Sequence, residues 1–309
     1  ENFSNPNLVV DAFFKIIQDN SMNKKFHEGE YHIQEMMGIR KFPDTLSSMI
    51  KDTIPKIASD FLEKLSFCVL TLSTQKDDLF TSTVYDNKSF IKIINHNSFS
   101  INLKNKSYIP EFFFKEEVLN IGIIGLDFLN AKRIRINGKS KIINNELIVI
   151  INEIYSNCPK YIKKRFLQKN LKTLDKTSIN NELELNQDLI NIILNSDTFF
   201  LASSHKEKGL DVSYKGGEKG FVKIISSKQL YFDDMPGNNL YNTLGNIYTN
   251  PCVNMFFIDF DKSNTYNILA KAHIKEIFIG NKKRLRVIIN CTKITINKNS
   301  FSLDYKLTL

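Results

Sequence analysis

The sequence predicts a mainly β protein: two small antiparallel barrels in tandem, with flanking helices. Three observations carry that expectation. The chain repeats itself, each copy is written in short apolar runs bounded by polar turns, and several runs alternate as half-buried strands do. At an offset of 131, Ser73 falls on Ser204, Leu79 on Leu210, Ser82 on Ser213 and Lys88 on Lys219, and SFIKII (89–94) falls on GFVKII (220–225). After one residue of slippage IGIIGLDF (121–128) overlies VNMFFIDF (253–260), and after a second NCPK (157–160) overlies NCTK (290–293). The order is kept while the offset drifts by two, which reads as a tandem duplication. Cys158 and Cys291 then occupy equivalent places.

The N-terminal 50 residues precede the repeat and read as two helical pieces, 8–18 and 28–37. Residues 52–65 carry an apolar stripe at Ile54, Ile57, Ala58, Phe61, Leu62 and Leu65, with Pro55 in the first turn of the expected helix. The runs 67–73 and 199–204 are apolar and aromatic, too short for helices, and read as strands. RIRINGKSKII (133–143) alternates, with Ile134 and Ile136 on one face. The run 146–155 follows a two-residue Asn144-Asn145 turn, a hairpin signal. Residues 168–186 are polar and without periodicity, which makes them the expected linker. A helix at 186–195 leads into the second copy, and another at 239–249 stops at Asn250-Pro251 before a strand at 253–259. The expected domains are therefore a helical extension (1–50), a first barrel (51–167), a linker (168–186) and a second barrel (187–309). About six antiparallel strands per copy suit a closed or nearly closed barrel, which removes exposed edges.

Composition narrows the function. A chain of 309 residues, 42% hydrophobic with 24 Phe, can bury two ordinary cores, so wholesale disorder is excluded. The net charge of +9 is spread along the chain, its densest runs being KYIKKR (160–165) and KKRLR (282–286). No recognition-helix, RNP or zinc-finger pattern accompanies it, so nucleic acid is not an expected partner. No apolar stretch approaches the roughly 20 residues that span a bilayer. Four cysteines without CxxC spacing read as reduced thiols of a cytoplasmic protein, and five scattered histidines write no metal site.

One stretch stands apart. DVSYKGGEKGF (211–221) places Lys215 and Lys219 among glycines, and five of the twelve glycines fall between Gly209 and Gly237. Lys215, Gly216 and Gly217 could cradle an anion through backbone N–H groups, with Ser213 adding a hydroxyl. The same residues also suit a hairpin turn with solvated lysines.

Several stretches together resemble the FMN-binding split-barrel proteins of the pyridoxamine 5'-phosphate oxidase-like family, in particular its long two-barrel bacterial subgroup. They are FHEGEYHIQEMMGIR (26–40), NCPKYIKKR (157–165), LDVSYKGGEKGFVKI (210–224) and PGNNLYNTLGNIYTNPCVNMFFI (236–258). The resemblance implies tandem split barrels forming an intramolecular pseudo-dimer, with FMN between them and a flavin-dependent oxidoreductase activity of unknown substrate. The implied cofactor-binding residues are Asp211, which would face a flavin ring nitrogen or else cap the turn, with Ser213, Lys215, Gly216, Gly217 and Lys219, joined by Asn238 and Asn242. Lys160 and Arg165 would reach across from barrel one. The sequence departs from the family where arginines are expected after PGN: Asn238, Asn239, Leu240, Asn242 and Gly245 stand there, and guanidiniums that pair bidentately with phosphate are missing. The first copy answers DVSYKGGEKGF with FTSTVYDNKSF, so one site is degenerate. The alternative is a split barrel without flavin, binding haem or another ligand or serving as a scaffold. A homodimer of pseudo-dimers is the assembly expected beyond a small-molecule or flavin partner.

Overall fold

The computed structural model describes residues 26–39, 48–74, 78–86, 88–156, 159–168, 177–300 and 304–307. The helix expected at 8–18 and Cys158 lie outside them. Chain order begins with helices α1 (Glu28–Met36) and α2 (Lys56–Leu62). Seven strands follow: β1 (Phe67–Ser73), β2 (Phe80–Tyr85), β3 (Ile91–Asn95), β4 (Ser98–Asn102), β5 (Leu119–Asp127), β6 (Lys132–Ile143) and β7 (Glu146–Ser156). They pair in the order β2-β1-β5-β6-β7-β4-β3, all antiparallel, and the sheet runs open between β2 and β3 as a split barrel.

After β8 (Arg165–Gln168), β9 (Ser178–Glu182) and α3 (Gln187–Asn195), the pattern repeats. Strands β10 (Thr198–His205), β11 (Gly209–Gly216), β12 (Val222–Ser226) and β13 (Gln229–Asp233) lead to α4 (Asn242–Thr249). Then come β14 (Cys252–Asp259), β15 (Asn264–Ile279), β16 (Lys282–Lys298) and finally β17 (Asp304–Leu307), which pairs with β8. The second sheet runs β11-β10-β14-β15-β16-β13-β12, the same order strand for strand. Even the irregularities recur: a bulge between Ile93 and Asn95 matches one between Ile224 and Ser226, and one at Asn137/Gly138 matches one at Leu269/Ala270.

Each barrel encloses its own apolar core, with Leu70, Phe99 and Ile136 in the first and Phe199, Phe257 and Ile268 in the second. A third cluster lies between them, where Phe67, Val69, Ile124 and Leu126 meet Phe200, Val212, Tyr214 and Phe256. This explains why β1 is buried at all seven positions instead of alternating. One face lines the barrel and the other is covered by the second barrel, so both faces are buried. The two barrels of one chain form the pseudo-dimer.

Local signals behave as local chemistry requires. Asn144 and Asn145 both take positive φ (50° and 64°), as a two-residue hairpin turn demands. The Asn186 side chain caps α3 by accepting from Leu189 N at 2.9 Å.

Four expectations are corrected. The helix expected over 52–65 is confined to Lys56–Leu62, because Lys51 bridges to Ile154 and Ile54 N–H donates to His96 O; Ile57, counted in the apolar stripe, is 85% exposed. The helix expected from 239 begins at Asn242, since Asn239 and Tyr241 have φ of 61° and 58°. The expected linker contains β9, which pairs with β16. Finally, the NCPK/NCTK match is fortuitous. Ala270 pairs with Cys291 as Gly138 pairs with Ile151, so Cys291 corresponds to Ile151 and not to Cys158. The β15–β16 hairpin carries four more residue pairs beyond the one matching Ile143 and Glu146, from Glu276–Leu285 to Ile279–Lys282, which displaces the true offset on the return strand.

Candidate ligand site between the barrels

The alternating strand RIRI (133–136) puts Ile134 and Ile136 into the first core and turns Arg133 and Arg135 outwards, where the second barrel covers them. Opposite lie the end of β11 and the connection 233–244. Together these line a cleft of about 110 Å³ bordered by Tyr161, Ser213, Lys215, Gly216, Asn238 and Asn242. Phe221, Phe232, Tyr241 and Leu244 supply its apolar lining.

Of the three cations that line the cleft among the described residues, two are matched by carboxylates. Lys215 Nζ lies 2.9 Å from Asp234 Oδ1 and over the Phe232 ring. Arg135 Nη1 lies 3.3 Å from the Asp211 carboxylate and donates to Tyr155 Oη at 3.1 Å. Asp233, on the same wall, accepts from Arg286 Nε (2.6 Å) and Nη2 (3.0 Å). Arg133 is set over the Tyr214 ring.

Of the ten expected site residues, Ser213, Lys215, Gly216, Asn238 and Asn242 line the cleft. Ser213 Oγ accepts from Thr243 Oγ1 at 3.1 Å, and the Asn238 side chain accepts from Leu240 N. Asn242 donates to Glu30 and accepts from Tyr155 Oη. Asp211 is buried against Arg135 and does not line this cleft. The glycines serve close packing. A Cβ on Gly216 would meet Tyr161 O at 2.3 Å, and one on Gly217 would meet the Phe221 ring at 2.6 Å. Gly217 N–H already donates to Asp197 O, and neither glycine has positive φ, so this turn is not an open anion cradle. Lys219 and Lys160 are exposed and outside the cleft. Arg165 does cross between barrels, but as a buried partner of Asp197 packed over Phe128 and Phe260. It borders a different, larger groove of about 1030 Å³ walled by α2 and β6, in which no comparable polar set converges from both barrels.

Sequence reasoning missed Arg133, Arg135, Tyr155 and Asp234. A signal for two of them was present: arginines alternating with isoleucine on a strand expected to bury one face.

Next to the cleft, Asn242 also borders a polar chamber of about 20 Å³ with His27, Glu30, Glu153, Lys208 and Asp211. α1 begins with a capping box: His27 Nδ1 accepts from Gly29 N, and Glu30 Oε2 accepts from His27 N at 2.8 Å. Burial, reinforced by Glu153, pushes the Glu30 carboxyl up to about 8, while burial and the stacked His205 ring 3.9 Å away hold His27 down to about 4. Neither is charged at neutral pH, so their 3.5 Å contact is not an ion pair. His27, Glu28 and His205 are close enough to share a metal ion. However, Nδ1 of each ring accepts backbone N–H groups, leaving Nε2 as the protonated nitrogen, directed at Asn246 and Glu28 respectively. That arrangement is a hydrogen-bonded pair, not a ligand set.

Comparison with solved structures finds partial matches. The chain is similar to split-barrel proteins. HupZ from group A Streptococcus matches with 16% identity over 38% of this chain and 97% of its own, at a TM-score of 0.30. A general stress protein 26 relative of the pyridoxinephosphate oxidase family from Clostridium acetobutylicum matches with 6% identity over 39% of this chain and 92% of its own, at 0.27. General stress protein 26 from Bacillus anthracis matches with 14% identity over 38% and 95%, at 0.28. Each of these matches spans less than two fifths of this chain. No family model and no curated protein matches the chain. No helix among the described residues is long and apolar enough to cross a membrane.

Proposed function

We propose that this tandem split barrel is a flavin-binding protein of the oxidoreductase kind, holding one flavin in the cleft between its barrels. FMN is the form that the family resemblance names, and a bound flavin would supply hydride or electron transfer. The observation that carries the reading is the convergence of Arg133 and Arg135 from barrel one with Ser213 and Lys215 from barrel two on a single aromatic-lined cleft. Phe221, Phe232 and Tyr241 suit a planar ring system, whereas the paired cations suit a phosphate dianion poorly. The cleft is smaller than the 300–1,000 Å³ or so of usual ligand pockets, so a flavin requires the exposed connection 235–239 to swing outwards.

A second reading, a split barrel without flavin, is favoured by one observation: two of the features expected to hold phosphate are engaged internally, Lys215 with Asp234 and Gly217 N–H with Asp197 O. Haem is the less suited ligand, since no histidine or cysteine lines the cleft among the described residues.

The test is an absorption spectrum of the purified protein, before and after excess flavin and desalting. Retained bands of a bound flavin, lost on Tyr241→Ala with the fold intact, support the first reading. A colourless, folded protein that takes up no flavin supports the second.

A further inference from the structure

The cleft is close to electrically balanced, and the balance is built in. Lys215 and Asp234 pair with side chains 19% and 16% exposed, and Arg135 and Asp211 with side chains 8% and 4% exposed. Asp233 lines the same wall, fixed by two hydrogen bonds from Arg286. The connection that would be expected to carry phosphate-pairing arginines has amides at Asn238, Asn239 and Asn242 instead. Gly217 N–H is committed to Asp197.

We infer that the ligand of this cleft is uncharged or carries at most one negative charge, and is held by its ring system, so that among flavins the cleft does not select the 5'-phosphate. The inference rests on the flavin reading. A phosphate dianion entering here must either take Lys215 from Asp234, leaving a half-buried carboxylate beside it, or lie next to Asp233 and Asp234 with Arg133, among the described residues the one lining cation outside these two pairs, offsetting a single charge. Both routes cancel the gain that charge-assisted phosphate contacts bring elsewhere. A ring system meets no such penalty and gains from Phe221, Phe232 and Tyr241.

The experiment is a fluorescence titration of the full chain with riboflavin and with FMN, at low and high salt. Riboflavin and FMN are expected to bind within about threefold of one another, with little salt dependence. In Asp234→Asn, which releases Lys215, FMN is expected to gain about tenfold or more over riboflavin, and salt should erase the gain. FMN binding tenfold tighter than riboflavin in the unaltered protein would overturn the inference and leave the flavin reading standing. Equal affinities persisting in a folded Asp234→Asn variant would also overturn it, because Lys215–Asp234 would then not set the preference. If neither flavin binds a protein that still melts cooperatively, the flavin reading and the inference fail together.

Discussion

The two halves of the barrel interface descend from the same repeat and are now different. Register places Arg135 of β6 opposite Ile124, and Asn267 of β15 opposite Phe256, so the two residues are counterparts. Arg135 reaches Asp211 on the second barrel and borders the cleft. Asn267 instead reaches the backbone of β2, accepting from Thr81 N and donating to Thr81 O, both at 2.9 Å. Gly122 and Asn254 differ likewise. A Cβ on Gly122 would meet Val212 N at 3.0 Å, while the Asn254 side chain donates to Leu79 O. One half keeps an ion pair beside an open cleft, and the other is sealed by side-chain amides. A neutral amide satisfying both backbone groups of one residue closes an interface at little desolvation cost, whereas a guanidinium needs a carboxylate and leaves room beside it.

Removing one residue from each half is the sharpest test of that difference. Arg135→Ala strands buried Asp211 and should cost about 3–5 kcal/mol in chemical denaturation. Asn267→Ala leaves the Thr81 N–H and C=O without the amide and should cost about 1–3 kcal/mol. Equal costs would mean that the charged half is solvated in a way its burial does not allow. Joint replacement, Arg135→Met with Asp211→Leu, should restore most of the loss, since no charge is then left alone.

A smaller effect distinguishes the halves by pH, because α1 and its Glu30 lie over the second barrel. The carboxyl's folded pKa is raised to about 8, so the folded state holds a proton that the unfolded chain releases near its ordinary value. Stability from this group is present at low pH and falls as pH rises towards 8. His27, lowered to about 4, acts in the opposite sense, adding stability as pH rises from about 4 to 6.5. The two oppose each other up to about 6.5, and above it Glu30 acts alone. Thermal melts should therefore lose stability between pH 6.5 and 8, on the order of 1–2 kcal/mol, and Glu30→Gln should flatten that slope. A flat profile in the unaltered protein would place an ionised carboxylate in the chamber.

The smallest effects belong to residues that the sequence singled out and the fold leaves outside. Lys160→Ala and Lys219→Ala should each change stability by less than about 0.5 kcal/mol and leave any flavin titration unmoved. A clear loss of binding in either would extend the site beyond the cleft.

The sequence by itself determined the elements whose causes are local. The duplicated succession of short strands followed from apolar runs bounded by polar turns, the Asn144-Asn145 turn from residues that tolerate positive φ, and α3 from its Asn186 cap. Part of the candidate cleft was equally legible, since Ser213, Lys215 and Gly216 do line it. Only the tertiary structure decided what those residues are free to do. Lys215 meets Asp234 through a strand, a turn and a second hairpin, and Arg135 meets Asp211 across 76 positions. The true register of β16 appears only when the longer β15–β16 hairpin is paired, which unmakes the apparent kinship of Cys158 and Cys291. Propensity and patterning act over a few residues and are written where they act. Charge pairing, close glycine contacts and the volume of a cleft depend on which distant segments the fold brings together.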